Sequence, residues 1–218
     1  MAPLLSKPQL WIIAGPNGSG KSSAYNLLGV ESPKDTIWII NPDLLAKRIT
    51  EGEHLLPDDA NLQTVIRIEK WLYTSIEAYQ TIGVETVLSS GKYRALVEAA
   101  KVKGFEINLV YVYLDDVELN IQRVKMRYAK GGHDVPEDKI RKRRGKSFQQ
   151  LGWFFAKADK AFIVNNTGAS LRVVATKDND GFSIEGDAIP EIIDAILQSY
   201  PELKDLLDRP LSDFSRPD

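Results

Sequence analysis

A short stretch of glycine, serine and lysine near the start of the chain has the composition of an anion-binding loop. Gly15 is followed, after four residues, by Gly20, Lys21 and Ser22, which is the spacing of a phosphate-binding loop. Glycines let the backbone wrap tightly, so that successive N–H groups point inward at an anion. We expect Lys21 to reach the outer phosphates of a nucleoside triphosphate and the Ser22 hydroxyl to ligate Mg²⁺.

The full binding loop is predicted to comprise Gly15, Pro16, Asn17, Gly18, Ser19, Gly20, Lys21, Ser22 and Ser23. The apolar run Trp11–Ala14 before it favours a strand, and no helix breaker follows it until Gly29. A strand before the loop and a helix N-terminus after it are the setting in which this spacing binds phosphate. A glycine-rich turn without a ligand explains these flanks less well. ATP is the nucleotide that we expect by default.

A carboxylate follows the next predicted strand, at Asp43. The strand is predicted over Thr36–Ile40, and ligands of an open α/β sheet bind beyond the carboxyl ends of its strands. There Asp43 can accept the proton of an acceptor hydroxyl that attacks the γ-phosphate, or hold Mg²⁺ through water. A structural role is also open, because Asn41 can cap a helix, Pro42 suits its first position and an acid complements its dipole.

Three further acids lie near strands, and geometry alone favours ordinary roles for them. Glu85 opens a strand predicted over Val84–Ser90, so we expect it to lie below the ligand side, on which Ser89 lies. Asp115 and Asp116 follow an apolar run, as in the Mg²⁺-orienting strand of many ATPases. They also immediately precede a predicted helix, where acids serve as caps, and this structural interpretation is the stronger one.

One segment is strongly cationic in an otherwise acidic chain. Residues 121–146 contain 10 Lys or Arg against three acids, whereas the whole chain has a net charge of −2. Arg123 and Arg127 lie one turn apart on a predicted helix; two glycines follow, and a second helix carries Arg141, Arg143 and Arg144. Such a pair of helices suits a lid that excludes water and neutralises a transferring phosphoryl group. A solvated basic face or a nucleic-acid patch are the alternatives.

Strands and helices alternate along the chain, which predicts an α/β fold. We expect a phosphate-binding-loop (P-loop) NTPase three-layer sandwich with a mostly parallel five-stranded sheet. A helical lid over residues 121–150 is expected to interrupt it, and a C-terminal hairpin near Asn179–Gly181 plus a helix to complete it. The chain of 218 residues is expected to form a single domain, residues 1–218.

Composition excludes several classes of site. The chain has no cysteine, hence no disulfide or thiolate metal site, and its two histidines, His54 and His133, are too few for a histidine-based metal site. We find no apolar run of membrane-spanning length and no secretory signal. The expectation is therefore a cytoplasmic protein with no membrane partner.

Several blocks of the chain resemble, in order, the small zeta-toxin-like ATP-binding proteins of bacteria. They are "GPNGSGKS", "NPDLLAKRI", "ETVLSS", "INLVYVYLD", "RVKMR", "GGHDVPEDKI" and "ADKAFIVNNT", between about Leu10 and Gly168. The resemblance implies a kinase that phosphorylates a sugar hydroxyl of UDP-N-acetylglucosamine. It implies that Asp43 is the catalytic base and Glu85 a substrate-binding glutamate.

The same resemblance extends to the lid. It implies that Arg127 and Arg143 contact the ATP phosphates during catalysis, together with Lys21. We assign Ser89, Arg123 and His133 to acceptor binding beside Glu85. This chain departs from the family where Arg144 replaces an aromatic residue, and where residues 165–167 read Asn-Asn-Thr in place of Asp-Asn-Ser.

The sequence thus predicts an ATP- and Mg²⁺-dependent kinase acting on a small acceptor, and it leaves open whether an antitoxin protein is a further partner. Two other functions remain open. One is an ATP-binding switch or regulatory subunit without catalysis. The other is a kinase of nucleic-acid ends, which the absence of interleaved aromatic residues in the basic segment disfavours.

Overall fold

Five parallel strands and an antiparallel hairpin form one continuous sheet in the computed structural model of the chain. The structure describes residues 7–27, 38–53, 57–132, 134–185 and 188–201. The strands are β1 (Gln9–Ala14), β2 (Trp38–Ile40), β3 (Ile82–Thr86), β4 (Glu106–Tyr113), β5 (Lys160–Asn165), β6 (Arg172–Asp178) and β7 (Gly181–Ile184). The helices are α1 (Lys21–Leu27), α2 (Pro42–Glu53), α3 (Pro57–Glu77), α4 (Arg94–Val102), α5 (Val117–Ala129), α6 (Glu137–Lys157) and α7 (Pro190–Leu197).

The sheet has the strand order β2-β3-β1-β4-β5-β6-β7, which is seven strands and not the expected five. The parallel part, β1 to β5, is as predicted. The predicted hairpin does not stand apart: β6 pairs antiparallel with β5, and β7 with β6. The physical reason is that β5 would otherwise present a row of unpaired backbone groups at the edge of the sheet.

Both faces of the central strand β4 are buried, which explains its almost wholly apolar sequence. Leu109, Tyr111 and Tyr113 face a large core beneath α3, α4, α6 and α7, while Val110 and Val112 face a smaller cluster that includes Ala24 of α1. Helices therefore cover the sheet on both sides, giving the three layers of the predicted sandwich.

Strand β3 is shorter than the sequence predicts, and this moves Glu85. The run Val84–Ser90 has no glycine or proline to end it, but the strand stops at Thr86. The Thr86 hydroxyl accepts a hydrogen bond from the backbone N–H of Leu88, and Leu88 adopts a left-handed φ of 58°. Glu85 is consequently the penultimate residue of the strand, near its carboxyl end, and the expectation that it lies lower is wrong.

Helices α5 and α6 form the basic helical pair, packed together through Ile121, Val124, Val135 and Ile140. Helix α6 begins after Pro136 and continues to Lys157. Its first half packs against α5 through Ile140. Its second half is part of the core. The whole helix has seven buried residues, among them Phe148, Leu151 and Phe155.

Candidate active site

The predicted phosphate-binding loop follows the carboxyl end of β1 and forms a tight curve there. Gly15, Gly18 and Gly20 have φ values of 139°, 73° and 88°, which side chains rarely tolerate. A Cβ on Gly15 would lie 2.0 Å from the backbone oxygen of Val112. The glycines of the motif are therefore required both by conformation and by close approach of the backbone.

Side chains from distant parts of the chain hold the outer wall of this loop. The buried Asn120 of α5 donates to the carbonyl of Asn17 (2.7 Å), and Asn166, which follows β5, donates to the carbonyl of Ser19 (2.7 Å). Arg123 donates to the carbonyl of Asn166 (2.9 Å). The loop is thus braced from outside by α5 and by the segment that follows β5.

The donors and acceptors inside the loop fit a polyphosphate with Mg²⁺. The buried ammonium group of Lys21 donates to the carbonyls of Gly15 (3.0 Å) and Pro16 (3.1 Å), so it lies within the curve of the loop. Asn17 Oδ1 and Ser19 Oγ are buried without a hydrogen-bond partner among the described residues. The exposed Ser22 hydroxyl at the start of α1 is the group suited to the cation.

A second cluster adjoins Ser22, and it contains the predicted acceptor-side carboxylate. Glu85 Oε2 accepts from Ser22 Oγ (2.9 Å) and from Asn41 Nδ2 (2.9 Å). Asn41 Oδ1 in turn accepts from the backbone N–H of Leu44 in the first turn of α2 (3.2 Å). Three elements therefore meet at one carboxylate: the phosphate loop, the end of β3 and the start of α2.

The segment after β3 is fixed by a buried hydroxyl of α6. Ser147 Oγ donates to the Val87 carbonyl (2.7 Å) and lies 2.8 Å from the Tyr111 hydroxyl, which therefore donates to it. Burial raises the pKa of Tyr111, so this hydroxyl keeps its proton. Ser89, half-buried, follows on this segment, at the same end of the sheet as Glu85.

The arginines predicted to belong to a lid occupy different environments. Arg127 lies exposed on α5, where it lines an open pocket of about 460 Å³ with Arg123, Met126, Lys130, Gly131 and Gly132. Arg143 is half-buried on α6. Arg144, where the family was expected to have an aromatic residue, donates to the carbonyls of Leu114 (3.0 Å) and Asp115 (2.9 Å) and lies over the Phe148 ring.

The two acids after β4 have structural roles, as the sequence favoured. Asp116 caps α5, accepting from the Glu118 N–H at 2.9 Å. Asp115 accepts from the Asn165 side chain (2.8 Å), and its own N–H donates to Thr167 Oγ1 (2.9 Å). This network closes the end of β4 against the end of β5.

Asp43, the predicted catalytic base, lies in the first turn of α2, which begins at Pro42. The helix capped by Asn41 is therefore real, and its first turn carries Asp43 beyond the end of β2. His133 lies outside the described residues.

Sequence reasoning missed three asparagines of the site. Asn41 was noted only as a cap, Asn166 only as the middle residue of the Asn-Asn-Thr run, and Asn120 not at all. The signal was weak, because each makes its contact across 44 to 147 residues of chain. The one local clue is that Asn120 precedes Arg123 by three residues and so shares a helix face with it.

The described residues lack two kinds of feature. They contain no cluster of three or more histidine or acidic side chains that could hold a metal ion on its own. Among the same residues, none of the helices has the length and apolar character needed to cross a bilayer.

The family model described as "Zeta toxin" matches residues 2–171. An uncharacterised protein of Haemophilus influenzae is 28% identical over 146 residues, which are 63% of this chain and 98% of that protein.

Two solved structures share the fold at low identity. The AvrRxo1-ORF1:-ORF2 complex with ATP has a TM-score of 0.67 at 15% identity and covers 90% of this chain, which spans only 63% of the length of that structure. The PezAT toxin-antitoxin system of Streptococcus pneumoniae has a TM-score of 0.57 at 16% identity and covers 94% of this chain and 89% of that one.

Proposed function

This chain belongs to the zeta toxin family, and from that premise we propose that it is a kinase that transfers the γ-phosphate of ATP to a hydroxyl of a small acceptor. One observation carries the proposal. Glu85, the predicted acceptor-side carboxylate, accepts a hydrogen bond from Ser22, the predicted cation ligand. Nucleotide and acceptor would then meet at one point beyond the carboxyl ends of β1 and β3, where ligands of such sheets bind.

The proposed roles follow from chemistry and position. The loop from Gly15 to Ser23 binds the triphosphate through its N–H groups, and Lys21 offsets charge on the outer phosphates. Bound Mg²⁺, ligated by Ser22, would neutralise charge on the phosphate oxygens. Arg127 and Arg143 are proposed to approach the transferring phosphoryl group when the lid closes.

In the proposed reaction the acceptor oxygen forms a bond to the γ-phosphorus while the bond to the bridging oxygen of ADP breaks. The hydroxyl proton passes to the carboxylate of Asp43. Glu85 and Ser89 bind and orient the acceptor on the side of the loop that faces α2. Arg123, bonded to Asn166 beside the loop, is better suited to the nucleotide side than to the acceptor.

A sugar nucleotide such as UDP-N-acetylglucosamine is the first acceptor to test, because the family resemblance suggests it. A protein partner that blocks the site belongs to the same proposal. The PezAT structure, which shares the fold, is described as a toxin-antitoxin system.

The test is ADP release with and without a panel of sugar nucleotides, in wild type and Asp43→Asn. We expect acceptor-dependent turnover and a phosphorylated sugar, with kcat lowered about 10²- to 10⁴-fold in Asp43→Asn and ADP affinity kept. Asp194→Asn, the same change at an exposed position of α7, is the matched control and should keep full activity. If ATP binds, no acceptor raises turnover and Asp43→Asn changes nothing, a nucleotide switch becomes the better hypothesis.

A further inference from the structure

The Asn41 side chain uses both ends of its amide at the junction of the site. Its Oδ1 accepts from the Leu44 N–H and caps α2, while its Nδ2 donates to Glu85 Oε2. The opposite orientation would set the amide oxygen against a carboxylate and the NH₂ group against an N–H. Only the observed orientation satisfies all four groups.

Capping alone does not require asparagine at this position. Aspartate, serine and asparagine cap helices about equally well through an oxygen. What asparagine adds over aspartate is a donor at the other end of the same planar group. In this structure that donor is directed at Glu85, at 2.9 Å, and the side chain is half-buried.

The carboxylate that Asn41 holds in turn fixes the Ser22 hydroxyl. A hydroxyl has one hydrogen and two lone pairs and rotates to suit its neighbours. Donation to Glu85 at 2.9 Å uses the hydrogen and leaves the lone pairs for a cation. Partners of this kind, one bond removed from a metal, set the orientation of the ligand that touches it.

We infer that Asn41 is a positioning residue of this site: by holding Glu85 it orients the Ser22 hydroxyl towards the cation and joins the phosphate loop to the first turn of α2. The inference rests on the proposed nucleotide and Mg²⁺ site. It adds a role for Glu85 on the cation side, besides the acceptor side. It also makes the helix that carries Asp43 part of the same hydrogen-bonded unit as the loop.

Changing the donors and acceptors at positions 41 and 85 tests the inference. Asn41→Asp keeps the capping oxygen but removes the donor and sets two carboxylates together. Ser22 and Asn41 donate to the same oxygen, Oε2, so in Glu85→Gln the amide oxygen can occupy that position and accept from both. In the double variant the glutamine can donate to the new aspartate only with its nitrogen at that position, where the Ser22 hydroxyl cannot donate to it.

The measurement is ADP affinity with and without Mg²⁺, by titration calorimetry on the full chain, with thermal midpoints as a fold check. The magnesium gain is the ratio of the two affinities. We expect Asn41→Asp to lower this gain about tenfold, and Glu85→Gln, which can keep both hydrogen bonds, to lower it less. The double variant should stay as low as Asn41→Asp, because Ser22 still lacks its acceptor, while ADP affinity without Mg²⁺ is unchanged in Asn41→Asp.

Two outcomes overturn the inference alone. One is an unchanged magnesium gain in Asn41→Asp, which would leave Asn41 as a helix cap only. The other is a double variant with the full magnesium gain of wild type, which would show that Ser22 needs no acceptor at position 85. If Asn41→Asp lowers the thermal midpoint, the double variant still decides, because it removes the repulsion between the two carboxylates while leaving Ser22 without its acceptor. Wild type that binds ADP without any magnesium gain also overturns the inference, whereas wild type that does not bind ADP overturns the proposed function itself.

Discussion

At the scale of the residue, the phosphate loop depends on glycines, because other parts of the chain occupy the space that a side chain would need. Gly20 has a φ of 88°, and a Cβ there would lie 2.2 Å from Asn166 Nδ2. That amide holds the Ser19 carbonyl. A single methyl group at Gly20 would therefore strain the backbone and displace the brace of the loop.

We predict that Gly20→Ala lowers stability by about 1–3 kcal/mol, from the strained φ alone, and lowers ADP affinity at least tenfold. Denaturant unfolding and ADP titration measure the two effects. The control is Gly145→Ala in α6, where no atom lies within 4 Å of the added Cβ. This change should stabilise the helix by up to about 1 kcal/mol and leave ADP binding intact. Equal effects of the two substitutions would contradict the account of the loop.

Residue spacing could predict the loop because its pattern is local. The nine residues of the loop need only a strand before them and a helix after them, and both are evident in the sequence. The position of Glu85 could not be predicted in this way. The end of β3 is set by the Thr86 hydroxyl and by Leu88, and the apolar sequence that follows gives no sign of a break.

At the scale of the element, α6 ties the sheet to the site. Ser147 bonds the Val87 carbonyl after β3 and the Tyr111 hydroxyl of β4, and Arg144 bonds two carbonyls at the end of β4. The helix itself was predictable from Pro136 and the aromatic residues that follow. These contacts were not, because they join residues 29 to 60 apart in the chain.

Ser147→Ala is expected to cost about 1–3 kcal/mol of unfolding free energy, because it leaves the buried Tyr111 hydroxyl and Val87 carbonyl without their partner. Tyr111→Phe should lower the unfolding free energy less in the Ser147→Ala variant than in wild type, since the Ser147 hydroxyl that Tyr111 contacts is already absent. Ser183→Ala, at an exposed hydroxyl bonded to Thr176 in the hairpin, should stay within about 0.5 kcal/mol. Chemical denaturation of the four variants makes the comparison, and additive costs would argue against a shared network.

At the scale of the whole molecule, the sheet has seven strands and not the predicted five. The reason is that strand pairing depends on which edges the assembled sheet presents. Five parallel strands follow from the alternation of apolar runs and helices. That the hairpin joins them depends on the open edge of β5, which only the assembled sheet presents. Fold class was therefore accessible to sequence, and the extent of the sheet was not.

Folding also sets how the protein responds to alkaline pH. Burial, followed by the negative charge of Glu69, raises the pKa of Tyr93 to about 12 from an ordinary value of 10. Between these values the unfolded chain loses this proton first, so stability is full below about pH 10 and falls as pH rises towards 12. We expect this group to account for up to about 2–3 kcal/mol of the loss. Denaturation from pH 9 to 12 should show a weaker decline in Tyr93→Phe, and a parallel curve in Tyr128→Phe, at an exposed tyrosine of α5.

Mechanically, α6 is a rod of 21 residues, about 30 Å long, that is held at two places. Phe148, Leu151 and Phe155 anchor its second half in the core under the sheet, and Ile140 anchors its first half against α5. Arg143 lies half-buried between these two supports. A force on that arginine would therefore be shared by the core and by α5, so the stiffness of this part of the helix is set by packing on both sides of it.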